Sequence, residues 1–240
     1  MNFFIDKLRS LIFLNKNIIQ TPFGTIKSEV SLFPLIYLFF VYLSGLVNWE
    51  IWNEKTIYEL WSKREYLSEH IQFIFYLSSS LLTVLIILKN KYKLFSLQNL
   101  CWLFFFIFLS IIALEEISYL NPLKGNFFQI IKENNTQFEI NFHNSFLFAP
   151  YLNSGFIVLN LFLGWIGWSY FSFIEAIPKK IFSLYFLFTS LAYTIIQIRF
   201  VPLLSILNKI VIDQEVFEFL MAMGLFLHTF KIFKYYSNRN

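Results

Sequence analysis

Two adjacent carboxylates, Glu115 and Glu116, close a long apolar run and lead into Ile117-Ser118-Tyr119. Ionisable groups at the end of an apolar helix are costly wherever they enter hydrocarbon, which makes them candidates for function. Neighbouring positions on a helix point about 100° apart, so at most one of the pair faces a given partner easily. Further on, Gln137-Phe138-Glu139-Ile140-Asn141-Phe142-His143-Asn144 alternates polar and apolar residues. In an extended chain Gln137, Glu139, Asn141 and His143 share one face. In a helix Glu139 and His143 stand at i and i+4 and again share a face. Either conformation brings a carboxylate and an imidazole together, as an acid–base relay or a metal site requires.

The candidate catalytic groups are therefore Glu116, Glu139 and His143, and the same three could ligate a divalent metal. The His and Cys content is too small for a zinc motif, and the sequence does not define any cofactor beyond that possible metal. Glu115, Gln137, Asn141 and Asn144 are candidates for holding a substrate. Arg199 joins them because a guanidinium grips anionic groups in bidentate fashion. Asp213, Glu215 and Glu218 open the last apolar run, with Glu215 and Glu218 on one helical face. Plainer roles stand beside these. The Glu115–Glu116 pair could mark the water boundary of a helix, His143 could be a hydrogen-bonded structural residue, and Arg199 could snorkel to an interface.

The elements that must position these residues are transmembrane helices. Of the 240 residues, 57% are hydrophobic, 22% aromatic and only 14% charged, including 33 Phe. A soluble domain carries about a quarter charged residues, and so many exposed rings on a soluble surface would aggregate. A helix needs about 20 apolar residues to cross the hydrocarbon. Runs of that kind lie at 30–49, 71–88, 94–114, 155–174, 181–198 and 216–233. They are too long for barrel strands and lack period-two alternation. The reading is all-α: a single-domain polytopic bundle of about six spans, with a motif loop at 115–154. The sixth run is the weakest, because it contains Glu218, His228 and Lys231. His228 reads as a residue that hydrogen-bonds between helices.

Basic residues orient the bundle, since short cytoplasmic segments collect Lys and Arg. Lys89, Lys91 and Lys93 fall in one short connection and Lys179 and Lys180 in another. Together with the basic residues at both ends of the chain, they predict an N-in, C-in topology. The motif loop then faces the non-cytoplasmic side, where twelve of the fifteen acids also fall. The basic residues do not form a nucleic-acid-binding patch. No cleavable signal peptide is expected, and residues 1–20 either lie on the inner leaflet or fray. Trp49 to His70 spaces its aromatic and aliphatic residues as an amphipathic interfacial helix would, with a polar hairpin as the alternative. Residues 200–212, around Pro202, read as a bent or re-entrant piece. Cys101, the single cysteine, lies in an apolar run and reads as an inert buried thiol.

Glu115-Glu116-Ile117-Ser118-Tyr119, followed by Asn135-x-Gln137-x-Glu139-x-Asn141-x-His143-Asn144, resembles the signature of a family of uncharacterised bacterial multi-pass membrane proteins. That signature is E-E-I-S-aromatic-G-Q-R, then N-x-Q-x-E-x-N-x-H-N. The second half matches at every motif position. Where the family has G-Q-R, this chain has Leu120-Asn121-Pro122. The resemblance covers residues 115–144. It implies that the two halves form one site, and that the protein resides in a bacterial inner (plasma) membrane. It brings no reaction with it.

Two classes of function follow. One is a membrane-embedded enzyme acting on a lipid or lipid-linked substrate at the non-cytoplasmic interface. The other is a non-catalytic assembly or scaffold subunit, with a membrane-protein partner or a second copy of itself. A transporter is disfavoured, since no span carries a charge at mid-depth and none shows paired Gly/Pro breaks.

Overall fold

The computed structural model describes residues 18–21, 24–27, 29–47, 50–52, 55–62, 67–90, 92–93, 95–116, 129–130, 133, 149–198 and 214–238. Two small antiparallel hairpins precede most of the helices. Strands β1 (Ile18–Thr21) and β2 (Gly24–Lys27) form the first, and β3 (Glu50–Trp52) and β4 (Lys55–Thr56) the second. The helices are α1 (Glu29–Leu46), α2 (Ile57–Ser62), α3 (Leu67–Lys89) and α4 (Leu97–Glu116). Then come α5, α6 (Ser183–Ile198) and α7 (Gln214–Ser237). Helix α5 runs as an α-helix over Ala149–Leu161, widens to a π-helical stretch at Phe162–Ile166, and ends at Gly167–Tyr170. A 3₁₀ turn, Lys180–Phe182, leads into α6.

Five of these helices are long and apolar enough to cross a bilayer, namely α1, α3, α4, α5 and α7. Helix α6 is apolar but has 16 residues, about 24 Å at 1.5 Å per residue. Its 3₁₀ turn adds about 6 Å, which brings the pair near the 30 Å of a hydrocarbon core. The chain is an all-α, multi-pass, membrane-spanning bundle.

The burial pattern explains why it suits lipid. In α3 the buried face is Ser68, Gln72, Tyr76, Ser79, Ser80, Thr83 and Ile86, whereas Ile74, Leu77, Leu81, Leu85 and Leu88 are exposed. Helix α1 buries Ser31, Pro34, Tyr37, Val41 and Ser44 and exposes Leu35, Ile36, Phe39 and Phe40. Lipid tails are as apolar as leucine, so leucine gains little by turning inward. Small and polar residues gain close backbone approach and interhelical hydrogen bonds. Ser80 Oγ lies 2.7 Å from Ser110 Oγ between α3 and α4, and Ser190 Oγ donates to Ile157 O between α6 and α5. Gly224 lets α7 approach α6, since a Cβ there would stand 2.7 Å from Tyr185 Cβ.

Helix α3 packs on α4 and on α7, α7 on α6, and α6 on α5, while α1 rests against α6. Helices α4 and α5 do not close against each other. Helix α7 is at the centre, with buried residues on every side from Glu215 to Ile232. The weakest sequence run is thus the most enclosed helix. Its polar residues lower its apparent hydropathy because they point into the bundle.

Three expectations are corrected. The segment from Trp49 to His70 is not one interfacial helix: the β3–β4 hairpin occupies its first part and helix α2 covers only Ile57–Ser62. Thr56 and Glu59 start that helix as a capping box: Glu59 N–H donates to Thr56 Oγ1, and Thr56 N–H to Glu59 Oε2. Tyr58 pins it to α1, with its N–H on Ser44 Oγ at 2.9 Å and its ring over Gly45. Second, the fourth span starts at Ala149 and ends at Tyr170, so it begins inside the expected loop and stops before 174. Third, the hydrogen bond of His228 goes to a connection and not to another helix. It lies 3.0 Å from the carbonyl oxygen of Glu175 in the connection after α5, and stacks on Trp102. Residues 200–212, and residues 1–20 apart from the Ile18–Gln20 part of β1, lie outside the described residues.

Candidate functional site

The buried carboxylates among the described residues belong to α7. Glu215 and Glu218 are only 3% and 5% exposed, although both are acids in a membrane-spanning helix. Their i, i+3 spacing turns both toward α3 and α6. Gln72 on α3 donates from Nε2 to the carboxylate of Glu215 and lies equally close, at 3.1 Å, to its carbonyl oxygen. Glu218 accepts a hydrogen bond from the hydroxyl of Tyr193 on α6 and one of 3.1 Å from Gln214 Nε2. Gln214 Nε2 also reaches Tyr193 Oη at 2.7 Å.

Glu116, the last residue of α4, is half-buried. The charges of Glu218, Glu215, Glu69 and Glu115 all reach it. Tyr76, one turn from Gln72 on α3, is fully buried, and the charges of Glu116, Glu218 and Glu215 reach its hydroxyl. That hydroxyl has no hydrogen-bond partner among the described residues, and neither has Gln72 Oε1 or Ser68 Oγ. Buried polar atoms are nearly always satisfied, so three orphans on one face beside a carboxylate group mark a place where a polar ligand or proton could be held.

Chemically, the arrangement offers carboxylates as proton donors or acceptors, tyrosine hydroxyls to orient them, and an amide oxygen that accepts. Geometry of this kind is what general acid–base chemistry uses. Among the described residues, no group of three His, Cys, Asp or Glu side chains has the geometry to hold a metal ion.

Of the sequence candidates, Glu116 and Glu115 end α4, and the charges of Glu218, Glu215, Glu69 and Glu115 act on Glu116. Glu139, His143, Gln137, Asn141, Asn144 and Arg199 lie outside the described residues. Sequence reasoning missed Gln72, Tyr76, Tyr193 and Gln214. For α3 a signal existed: Ser68, Gln72, Tyr76, Ser80 and Thr83 recur at three- and four-residue spacing along an apolar run. Such a stripe marks the interior face of a membrane helix. For Tyr193, a lone tyrosine in an aromatic-rich run, no comparable signal stands out.

At the other end of the bundle, the connection after α5 carries a second polar cluster. Glu175 accepts hydrogen bonds from Tyr92 Oη at 2.9 Å and Tyr236 Oη at 2.7 Å, and its own N–H donates to Gln98 Oε1. Lys179 Nζ donates to the carbonyls of Ser172 and Ile174. Burial of its ammonium lowers the Lys179 pKa, with the Glu175 charge opposing that shift. Every Glu175 contact is to the fold itself, and the group reads as a clasp that fixes this connection.

No protein-family model, no curated protein and no solved structure matches this chain.

Proposed function

We propose that this protein is a membrane-embedded enzyme carrying out acid–base chemistry on a lipid or lipid-linked substrate at the non-cytoplasmic interface of a bacterial plasma membrane. The observation that carries this reading is that Glu215 and Glu218 lie buried in a membrane-spanning helix and that their charges, with that of Glu116, act on the buried hydroxyl of Tyr76, which has no hydrogen-bond partner among the described residues. Helix α4 delivers Glu116 to the point where the motif loop begins. In this reading Glu139 and His143 complete the acid–base set, and a divalent metal held with Glu116 is its metal-dependent form. Glu115, Gln137, Asn141, Asn144 and Arg199 grip the substrate. A membrane-resident substrate follows from the setting, since hydrocarbon-facing side chains surround the helices that bear the site. The resemblance of the 115–144 segment to a bacterial family supports placing both motif halves in one site.

The test is a comparison of membrane lipids from cells carrying wild-type protein, Glu218→Gln, Glu139→Ala, His143→Ala, or none. The expected result is one lipid species that accumulates in the null strain and in all three variants, with each variant still present in the membrane. Wild-type lipid profiles in every variant would sink the proposal.

A second reading, an assembly subunit, draws support from the Gln72–Glu215 pair, which clamps two helices as a structural polar contact would. It expects these variants to lose a stoichiometric partner on purification while the lipids stay unchanged.

A further inference from the structure

Between α4 and α5, which do not close on each other, the bundle has a cleft of about 490 Å³. It lies away from the carboxylate site, in the half of the bundle nearer the Glu175 clasp. Its outermost lining residue on α4, Phe108, is eight residues from Glu116, about 12 Å along the axis.

Four features define what fits. The wall is apolar, with Phe104, Phe108, Leu159 and Phe162 among its residues, and offers almost nothing to satisfy a polar ligand group. Along α4 it runs from Leu100 to Phe108, again about 12 Å, close to the roughly 15 Å depth of one hydrocarbon leaflet. Its mouth faces lipid, since Phe104 is 71% exposed and Leu100 is exposed beside it. Helix α5 widens to its π-helical stretch where Phe162 and Leu163 line the cleft, a distortion found often at functional sites. The volume lies within the range of small-ligand sites.

The end of the cleft is covered by the connection after α5, through Phe171, Ile174 and Ile177. That end of the bundle is basic. Lys93 is exposed just before α4, Lys179 and Lys180 follow, and Lys180 Nζ lies 4.9 Å from the Trp168 ring centroid. The one described acid in the connection, Glu175, is held by Tyr92 and Tyr236.

We infer that this cleft binds one acyl chain of a phospholipid with an anionic headgroup, drawn from the leaflet on the side of the lysine-bearing connections, with Lys93 beside the headgroup. The inference is independent of the enzyme reading, which concerns the other end of α4.

The protein carries its own reporter, because Cys101, half-buried and not enclosed as its apolar run suggests, lines the cleft and is its single thiol. The full chain in detergent, stripped of lipid, is treated with N-ethylmaleimide alone or with dioleoyl phosphatidylglycerol, dioleoyl phosphatidylcholine or oleate. Modification is followed by intact mass, and bound lipid by native mass spectrometry. The expected result is one phosphatidylglycerol retained per chain and a several-fold slower reaction of Cys101. Phosphatidylcholine should protect less, and Lys93→Gln should narrow the difference between the two. Leu159→Trp, which fills the cleft, should abolish retention while leaving the chain monodisperse. A Cys101 rate that phosphatidylglycerol leaves unchanged overturns the inference, with no variant needed. Equal retention by a monodisperse Leu159→Trp protein overturns it too. Protection by oleate without retention of intact phospholipid overturns the assignment to a phospholipid.

Discussion

Gln72 and Glu215, 143 residues apart in sequence, meet through one amide nitrogen that lies 3.1 Å from both the carbonyl oxygen and the carboxylate of Glu215. The contact ties α3 to the first turn of α7 inside the bundle. Gln72→Ala removes a donor from a buried carboxylate, which costs about 2 kcal/mol. Gln72→Glu should cost more at neutral pH, because it sets a second carboxylate against the first. Unfolding in detergent, followed by circular dichroism, reads both. A midpoint for Gln72→Ala equal to wild type would show that the clamp contributes nothing.

Gly224 should tolerate no side chain. An added Cβ meets Tyr185 Cβ at 2.7 Å, and neither belongs to a flexible tip. Gly224→Ala is expected to destabilise by about 1–3 kcal/mol, as overpacking does. Gly155, also helical, has open space at the same position. Gly155→Ala should be neutral or stabilising by up to about 1 kcal/mol, from helix propensity alone. Equal effects at the two sites would refute the packing account.

The clasp on Glu175 should respond to alkali. Burial, then the hydrogen bond to Glu175 and its charge, raise the Tyr92 pKa above its usual value near 10. A proton held more tightly in the folded state stabilises it below the unfolded pKa, and that contribution disappears as pH rises through the folded value. Thermal midpoints of wild type and Glu175→Gln should therefore converge as pH rises above about 10. Parallel curves across that range would remove Tyr92 from the account.

Topology is open to a direct labelling test. In a Cys101→Ala background, Glu133→Cys should react with an impermeant maleimide in intact cells, and Lys93→Cys only after permeabilisation. The reverse pattern would invert the bundle and place the carboxylate site on the cytoplasmic side.

The boundaries of the spans were largely legible in the residues, and for a simple reason. In hydrocarbon every backbone group must be satisfied within its own helix, so length and apolarity alone determine what can cross. The runs at 71–88 and 94–114 became α3 and α4 with ends moved by a few residues. The end of α4 at Glu116 was legible too, where charges close an apolar run. Local chemistry also explains the start of α2, where Thr56 and Glu59 cap each other.

What only the tertiary structure decided is which helices meet and which helix lies at the centre. Hydropathy is silent on both, because lipid rewards leucine as well as a core does. It even points the wrong way for α7, whose Glu218 and His228 weaken its apolar signal yet are buried at 5% and 1% exposure. Packing of α3, α6 and α7 brought Gln72 to Glu215 and Tyr193 to Glu218. No local pattern encodes that meeting, since the helices that share the carboxylates are joined only through the rest of the bundle.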